Sequence, residues 1–185
     1  DTCRRQRQMC IRDSFYTLSG DKLPRGRGFG EPVSLMVDLP ADVDIVRLLK
    51  AEGKRMLVAA STGHGLLVPT EAALAQTRSG KQVLNLSGMA RAVACCVAEG
   101  DMVASVGMNR KLLVFPIDEV PEMTRGKGVI LQRFKDGGLA DVTVYSAEAG
   151  LSWKAGGGRT RTEADMSDWL GKRAGAGKMP PTGFP

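Results

Sequence analysis

Short apolar runs separated by polar, glycine-containing turns recur along the chain. Met56–Ala60 is apolar, Ser61–His64 can reverse the chain because Gly63 tolerates positive φ, and Gly65–Val68 is apolar again. A second stretch repeats this order: Met102–Val106, Gly107–Arg110, Lys111–Phe115. Apolar runs of this length flanked by turn residues are typical of β-strands. We therefore predict two β-hairpins.

The hairpins belong to a repeat of about 46 residues. Leu66–Val68 recurs as Leu112–Val114, and Gly80 recurs as Gly126, each 46 residues later. Repeats of this length are typical of stacked or radial modules. Further strands are predicted at Val83–Leu86, Val93–Val97 and Val129–Leu131. Four short strands per module are typical of a propeller-like blade, so an all-β fold is predicted.

The repeat divides the chain into a partial blade at 15–50, blades at 51–97 and 98–140, and a degenerate blade at 141–162. Pro69–Ala75 predicts a helical turn, whereas the prolines of the next copy disfavour one there. In segment 163–185, Thr162 and Asp165 form a capping-box pattern, and Trp169 lies on an apolar helical face. We predict a short helix in which Trp169 packs on the last blade, followed by a flexible tail.

The first fourteen residues, DTCRRQRQMCIRDS, differ from the rest of the chain. They hold two of the four cysteines and show neither a strand nor a helix period. We interpret residues 1–14 as a non-native read-through segment; a native basic arm is the alternative. On this interpretation, Phe15–Leu18 is an exposed strand edge, and the fragment is less stable than an intact domain.

Enzyme-like chemistry is not apparent in the remaining residues. Gly126–Val129 lacks the leading glycine and the hydroxyl residue of a phosphate-binding P-loop. His64, the one histidine, lies in a turn, and Asp42 and Asp44 read as an acidic linker. Adjacent Cys95 and Cys96 suit neither a disulfide nor a zinc site. They predict two small apolar residues packed in a strand, in a protein of the reducing cytoplasm. No catalytic residue and no metal ligand is predicted.

Positive charge is the remaining signal. The net charge is +6 and the pI about 9.4, which suits a polyanionic partner. If rotation relates the modules, basic loop residues at equivalent positions form one curved rim that can follow a bent duplex through phosphate contacts. A solvated basic surface is the alternative. The candidate DNA-binding residues are Arg25, Arg27, Arg78, Lys81, Arg110, Lys111, Arg125, Lys127, Arg133 and Lys135.

Three segments together resemble a known family: FYTLSGDKLPRGRGFGEPVSLMVDLPADVDIV, NRKLLVFPIDEVPEMTRGKGVILQRFKDGGLAD, and the C-terminal GLSW, GRTRT and WLGKRAGAGKMPPTGFP. They resemble the C-terminal domain of the bacterial topoisomerase IV A subunit, in its alphaproteobacterial form, over about residues 15–185. The resemblance implies a β-pinwheel, here an incomplete ring, whose four-stranded blades exchange strands with their neighbours. It also implies binding and bending of duplex DNA.

The same resemblance implies the role of a longer parent protein. That parent is an ATP-dependent type II topoisomerase, active in decatenation and supercoil relaxation, with Mg²⁺ at its cleavage site. Its partners are the ATP-hydrolysing topoisomerase IV B subunit and a second A subunit, joined through upstream domains into an A2B2 heterotetramer. The implied location is the cytoplasm and nucleoid, with some members peripheral to the inner membrane. The family's nucleophilic tyrosine follows an arginine, whereas Tyr16 follows Phe15 and Tyr145 follows Val144, so no catalytic residue carries over.

The gyrase A protein shares the implied fold and supplies one alternative, a C-terminal DNA-wrapping domain. Its first blade carries a glutamine- and arginine-rich glycine–lysine box, of which TRSGKQ and TRGKG are reduced forms. This difference favours topoisomerase IV. A propeller that binds protein partners is a second alternative, although the aromatic content of 5% is low for one. A hydrolase on a propeller scaffold is a third, and it lacks clustered histidines and carboxylates.

Overall fold

The chain folds as short antiparallel β-sheets joined by turns, in a computed structural model that describes residues 6–20, 23, 26, 30–39, 43–51 and 54–185. The strands are β1 (Gln6–Ile11), β2 (Ser14–Ser19), β3 (Ile45–Lys50), β4 (Arg55–Ala60), β5 (His64–Pro69), β6 (Lys81–Gln82), β7 (Ala92–Val97), β8 (Met102–Gly107), β9 (Leu112–Pro116), β10 (Val129–Ile130), β11 (Leu139–Tyr145), β12 (Leu151–Lys154) and β13 (Thr160–Glu163). Single 3-10 turns occur at Val33–Leu35, Glu71–Ala73, Ile117–Glu119, Gly156–Gly158 and Ser167–Trp169. The predicted all-β class is confirmed.

Each sheet is built on a hairpin of consecutive strands. The sheet orders are β3-β1-β2-β6, β10-β5-β4-β7, β11-β8-β9 and β12-β13. In the first three sheets, the strand beside the hairpin's first strand comes from further along the chain. The predicted module boundary between residues 140 and 141 falls inside β11, because β11 completes the sheet of the third hairpin.

The outer strand of a blade comes from the module that follows it. The β6 strand pairs with β2, although it follows the second hairpin in sequence. In the same way, β10 follows the third hairpin and pairs with β5 of the second. Adjacent blades are thus joined by backbone hydrogen bonds as well as by side-chain packing. This is the strand exchange that the family resemblance implies.

Apolar side chains fill the spaces between successive blades. Phe15 of the first blade packs with Met56 and Leu66 of the second in one buried cluster. Leu57 of the second blade packs with Phe115 of the third in another. A third cluster, around Leu112, Val114, Leu151 and Trp153, joins the third blade to the β12–β13 hairpin. Burial of side chains on both faces of the second and third hairpins explains why their strands are almost continuously apolar.

The structural repeat of the hairpins is one residue longer than the predicted 46. Ala59 pairs with Gly65 beside the second turn, and Val106 pairs with Leu112 beside the third, so equivalent residues lie 47 apart. Because side chains alternate between faces along a strand, a shift of one residue reverses which blade a side chain faces. The matching letters Leu-Leu-Val at 66–68 and 112–114 are therefore a coincidence of composition.

Several predicted elements differ in the structure. The strand expected at Val83–Leu86 lies earlier, at β6, and Leu84 forms only an isolated bridge. The helical turn predicted in Pro69–Ala75 forms at Glu71–Ala73, but the second copy also has one, at Ile117–Glu119, despite its prolines. Cys95 and Cys96 lie in β7 as predicted, and both thiols are free.

The C-terminal segment also differs from its prediction. Thr162 lies in β13, and the expected helix is reduced to the 3-10 turn Ser167–Trp169. The segment after it is not a flexible tail, because Lys178 exchanges two backbone hydrogen bonds with Leu112. Trp169 packs against the cluster between the third blade and the β12–β13 hairpin, and so reaches the last blade as predicted.

Residues 6–14 take part in the first sheet. The β1 strand lies between β2 and β3, and Met9, Cys10 and Ile11 are each 1% exposed. The β2 strand pairs along its length with β1, and β6 covers Ser14 and Phe15 on the other side. Phe15, Tyr16 and Leu18 are buried, so the expected exposed edge at Phe15–Leu18 is wrong. The foreign origin of residues 1–14 stays a prediction.

Two side chains of β1 do not match the core position that they occupy. By register, Arg7 and Gln8 stand where the second hairpin has Met56 and Leu57, which are fully buried. Arg7 Nη1 and Gln8 Oε1 are buried without a hydrogen-bond partner. Arg7 is also directly opposite Lys50 on β3, a like-charge pair. This local mismatch is what a segment foreign to the blade would produce.

Replacing Arg7 by methionine should therefore stabilise the fold. The change removes an unpaired buried nitrogen and a like-charge pair, and we expect the free energy of unfolding to rise by roughly 1–2 kcal/mol. Urea unfolding followed by tryptophan fluorescence measures it. Lys50→Met relieves only the repulsion and should give a smaller gain. An unchanged or lower midpoint for Arg7→Met would show that the arginine fits its site.

Gln132 connects three parts of the structure from a buried position. Its Oε1 accepts a hydrogen bond from Ser105 Oγ at 3.0 Å. Its Nε2 donates to the carbonyl oxygens of Lys111 at 3.0 Å and Ala176 at 3.1 Å. With 1% exposure, Gln132 has little access to water that could replace these bonds. It therefore fixes the C-terminal segment against the third hairpin.

Gln132→Met should lower the free energy of unfolding by about 1–3 kcal/mol, because it removes one partner from the buried Ser105 hydroxyl and from two part-buried carbonyls. Gln76→Met makes the same chemical change at an exposed position and should stay within about 0.5 kcal/mol of the parent. Urea titration of the three proteins tests the difference, and equal losses for both variants would contradict this role of Gln132.

Candidate nucleic-acid interface

Three segments bind the start of a hairpin's second strand in the same way. Each has a glycine in the left-handed region, at φ +76 for Gly80, +74 for Gly128 and +76 for Gly177. The next residue of each segment pairs antiparallel with the hairpin: Lys81 with Phe15, Val129 with Gly65, and Lys178 with Leu112. We call residues 80–85, 126–133 and 174–178 the exchanged segments. Their shared register makes Gly80 equivalent to Gly128, and not to Gly126 as the sequence spacing suggested.

Only glycine fits this position in the second segment. A Cβ on Gly128 would lie 2.1 Å from the carbonyl oxygen of Gly65, closer than real contacts allow. The left-handed backbone turns the chain onto the strand edge, which other residues adopt only at a cost. Gly128 therefore fixes the backbone position of its preceding neighbour, Lys127.

The exchanged segments also contact one another in sequence. The backbone N–H of Gly126 donates to the carbonyl of Val83 at 3.0 Å, and the N–H of Asn85 donates to the carbonyl of Gly126 at 2.8 Å. The second and third segments are linked likewise: Ala174 N–H donates to Leu131, and Arg133 N–H donates to the carbonyl of Gly175. The three segments thus form a continuous band past the turn ends of three hairpins.

Arg125 lies across the first junction of this band. Its Nε donates to Asn85 Oδ1 at 3.0 Å, and its Nη2 donates to Gln82 Oε1. The side chain is exposed, so one edge of the guanidinium is held by the protein while the group stays accessible to solvent. Lys81, the neighbour of Gln82, is exposed on the same segment. Successive side chains of a strand point to opposite faces, so Arg125 contacts the Gln82 side of β6 while Lys81 is exposed on its other face.

Lys127 lies beside the turn of the second hairpin. It is exposed and lines a small hollow with His64, Thr62 and Asn85. His64 Nδ1 is 3.1 Å from Thr62 Oγ1. Partial burial lowers the pKa of His64, and the positive charge of Lys127 lowers it further.

The remaining candidates cluster at the third hairpin or lie apart. Arg110, which has a left-handed backbone, donates to the carbonyl of Phe184, and Lys111 is bound through its carbonyl to Gln132. Arg133 is exposed, and its backbone joins the third segment. Lys135 is exposed two residues further on.

Arg78 already has partners within the protein. Its Nη2 donates to the carbonyl of Leu35 at 2.8 Å, and its Nε lies 3.5 Å from Asp38 Oδ1. This reduces the charge it can offer to a ligand. Arg25 and Arg27 lie outside the described residues.

One basic residue of the band was missed in the sequence. Lys178 is exposed and occupies the register of Lys81, but it was assigned to a flexible tail. The dipeptide Gly-Lys at Gly177 was a weak signal, because Gly-Lys occurs five times in the chain, at Gly53, Gly80, Gly126, Gly171 and Gly177.

Other kinds of site find little support in the described part of the chain. Those residues contain no group of three or more histidines, cysteines or carboxylates placed to hold a metal ion. Burial raises the pKa of the Cys96 thiol to about 11, so at neutral pH it is protonated and a poor nucleophile. Over the same ranges no helix has the length and apolar character needed to cross a bilayer.

Known proteins match both the sequence and the fold. The family described as DNA gyrase C-terminal domain, beta-propeller, matches residues 101–141. The DNA topoisomerase 4 A subunit of Caulobacter vibrioides is 47% identical over 171 residues, which cover 92% of this chain and 22% of that protein. The corresponding protein of Rickettsia bellii is 44% identical over 172 residues, covering 92% and 23%. The chain thus spans about a fifth of the length of these curated relatives.

Solved structures show the same architecture. The C-terminal domain of ParC from E. coli has a TM-score of 0.80 at 21% identity, covering 97% of this chain and 78% of that one. A gyrase A C-terminal domain has a TM-score of 0.72 at 14% identity, covering 95% and 60%. At these identities the matches show the fold, and they confirm the predicted pinwheel class.

The single histidine makes the electrostatics at Lys127 measurable. Lys127→Gln removes a neighbouring positive charge, so the pKa of His64 should rise, and proton NMR titration of the one imidazole reports it. Lys54→Gln, at the opposite end of the same hairpin, should leave the pKa unchanged. A pKa that does not respond to Lys127→Gln would place the ammonium group away from the ring.

The direction of this pKa shift also sets its effect on stability. Because the folded-state pKa lies below the unfolded value of about 6.5, the unfolded chain binds more protons in this range. The stabilising contribution of neutral His64 is present above that value and is lost as the pH falls toward the folded pKa. In Lys127→Gln the loss should be smaller, which urea unfolding across this pH range can show.

Proposed function

Because the chain belongs to the family of C-terminal domains found in the A subunits of topoisomerase IV and gyrase, we propose that it binds and bends duplex DNA along the band of exchanged segments. The observation that carries this proposal is the junction at Gly126, where two glycine–lysine segments from different modules meet. This junction supports the proposal because its backbone hydrogen bonds join the segment that carries Lys81 to the residues between Arg125 and Lys127. Phosphates spaced along a duplex are the ligand that such a row of cations fits.

The contacts of this surface are suited to positioning and not to reading bases. The cations follow short backbone segments, and the helices of the described residues are single 3-10 turns of three residues, too short to serve as a recognition helix in a groove. Phosphate contacts of this kind carry little direct sequence information. Curvature of the band from blade to blade would favour DNA that bends easily. We therefore propose shape-dependent binding with little sequence preference.

Within a longer protein, this chain would hold DNA beside a cleavage site formed elsewhere. We propose that the parent is an ATP-dependent type II topoisomerase acting in decatenation and supercoil relaxation, in a heterotetramer with the ATP-hydrolysing B subunit, in the cytoplasm at the nucleoid. The described residues offer no cluster of carboxylates that fits Mg²⁺, so ATP and Mg²⁺ would be bound by other parts of that enzyme. The identity of 47% with a DNA topoisomerase 4 protein favours this parent over gyrase.

Removing single lysines of the band should weaken DNA binding in a salt-dependent way. The slope of log K against log salt is negative, and Lys81→Gln and Lys127→Gln should each reduce its magnitude by about 0.9, the value for one phosphate contact on B-DNA. Fluorescence anisotropy with a mixed-sequence duplex at several KCl concentrations measures this slope. Arg125→Gln is a less selective variant, because Arg125 also joins two segments within the protein.

Lys54→Gln is the matched control. It removes the same charge from an exposed position at the far end of the second hairpin, so the slope should be unchanged. Equal slopes for the unsubstituted chain, Lys81→Gln, Lys127→Gln and Lys54→Gln would exclude the proposed surface. DNA binding by the unsubstituted chain that does not depend on salt would exclude it as well.

A further inference from the structure

The C-terminal segment follows the same path on the third hairpin as an exchanged segment follows on the second. On the second hairpin, Glu122 forms a parallel bridge with Leu67, and the antiparallel pair of Val129 with Gly65 lies two residues earlier on the same strand. On the third, Leu170 forms a parallel bridge with Val114, and Lys178 pairs with Leu112, again two residues earlier. Both hairpins therefore receive a segment that pairs with the same two strand positions in the same order, although the link between the pairs is one residue longer on the third, 170–178 against 122–129.

Local geometry at Gly177 supports this equivalence. Its φ of +76 matches that of Gly80, and a Cβ there would lie 2.7 Å from the carbonyl oxygen of Leu112. Two backbone hydrogen bonds join Leu112 and Lys178, at 2.8 and 2.9 Å. Gln132 adds its bond to Ala176. The segment is thus fastened on both sides of Gly177.

The register brings the backbone of Lys178 beside segments that carry other candidates. Lys178 occupies the place of Lys81, and its partner Leu112 directly follows Lys111. Arg133 joins the same segment through its hydrogen bond to Gly175. The Lys178 ammonium donates to the carbonyl of Asp168 at 2.7 Å and remains exposed, so it is oriented but not neutralised.

We propose that Lys178, held in position by the docking of the third exchanged segment (residues 174–178), is a further phosphate-contacting residue on the third blade. The inference rests on the proposed function, since it extends the same DNA-binding band. It assigns to a segment with linker-like composition a fixed place in the binding surface. On this proposal, the DNA contact of Lys178 requires both its positive charge and its docked position.

Two variants separate charge from position. Lys178→Gln removes the charge and should lower the salt slope by about 0.9, as for Lys81→Gln. Gly177→Ala keeps the charge but introduces a Cβ at a left-handed position against Leu112, so it should detach the segment and lower the slope similarly. Hydrogen exchange at the Leu112 amide, which donates to Lys178, should become faster in Gly177→Ala. Lys54→Gln again serves as the control.

The outcomes are distinct. Lower slopes for both variants, with the control unchanged, support the proposal. If the slope is unchanged in Lys178→Gln but smaller in magnitude in Lys81→Gln and Lys127→Gln, the proposal for Lys178 is overturned and the proposed function stands. An unchanged slope for Gly177→Ala with a freely exchanging Leu112 amide shows a contact that does not need docking, and also overturns it. If the unsubstituted chain shows no salt-dependent DNA binding, the proposed function itself is overturned.

Discussion

The outer edge of each hairpin must be covered, and this requirement determines most of the structure. The β2 and β5 strands would otherwise present unpaired N–H and C=O groups, which are costly when buried and promote aggregation when exposed. The β6 and β10 strands cover these edges from the module that follows. Because each covering segment crosses to the preceding blade, the blades are fixed in chain order. The cationic loops are placed side by side as a consequence of this pairing.

The same pairing explains how a sequence poor in aromatic residues can form an ordered charged surface. The left-handed glycines set the direction of each segment, and the residue after each glycine is held by backbone hydrogen bonds to the hairpin. A lysine on such a segment has a fixed Cα, so only its own side-chain rotamers remain to be ordered when a ligand binds. Less conformational entropy is then lost on binding than with lysines on a mobile loop. Arg125, tied to Gln82 and Asn85, is held still more firmly.

The hairpins could be predicted from sequence because their signals are local. Apolar runs flanking Gly63 and Gly107 define strands and turns without reference to the rest of the chain. The register could not be predicted in this way, since repeated apolar letters match equally well when shifted by one residue. The C-terminal segment was missed for a different reason: its composition does not show that β9 has an open edge, and pairing with that edge prevents the helix that Thr162 and Asp165 suggested. Among the candidate cations, spacing identified Lys81 and Lys127, but only three-dimensional pairing identified Lys178 and showed Arg78 to be engaged with Asp38.

Strand exchange also sets the order in which the chain can fold as it is synthesised. The β4–β5 hairpin is complete once Pro69 has left the ribosome, yet its outer edge stays open until Ile130 has emerged. During that interval the nascent chain carries an unpaired strand that a second nascent chain could occupy. The outer edge of the third hairpin likewise stays open from the time Pro116 emerges until Lys178 emerges. Translation speed through the intervening residues is therefore a physical determinant of whether this domain assembles within one chain or between two.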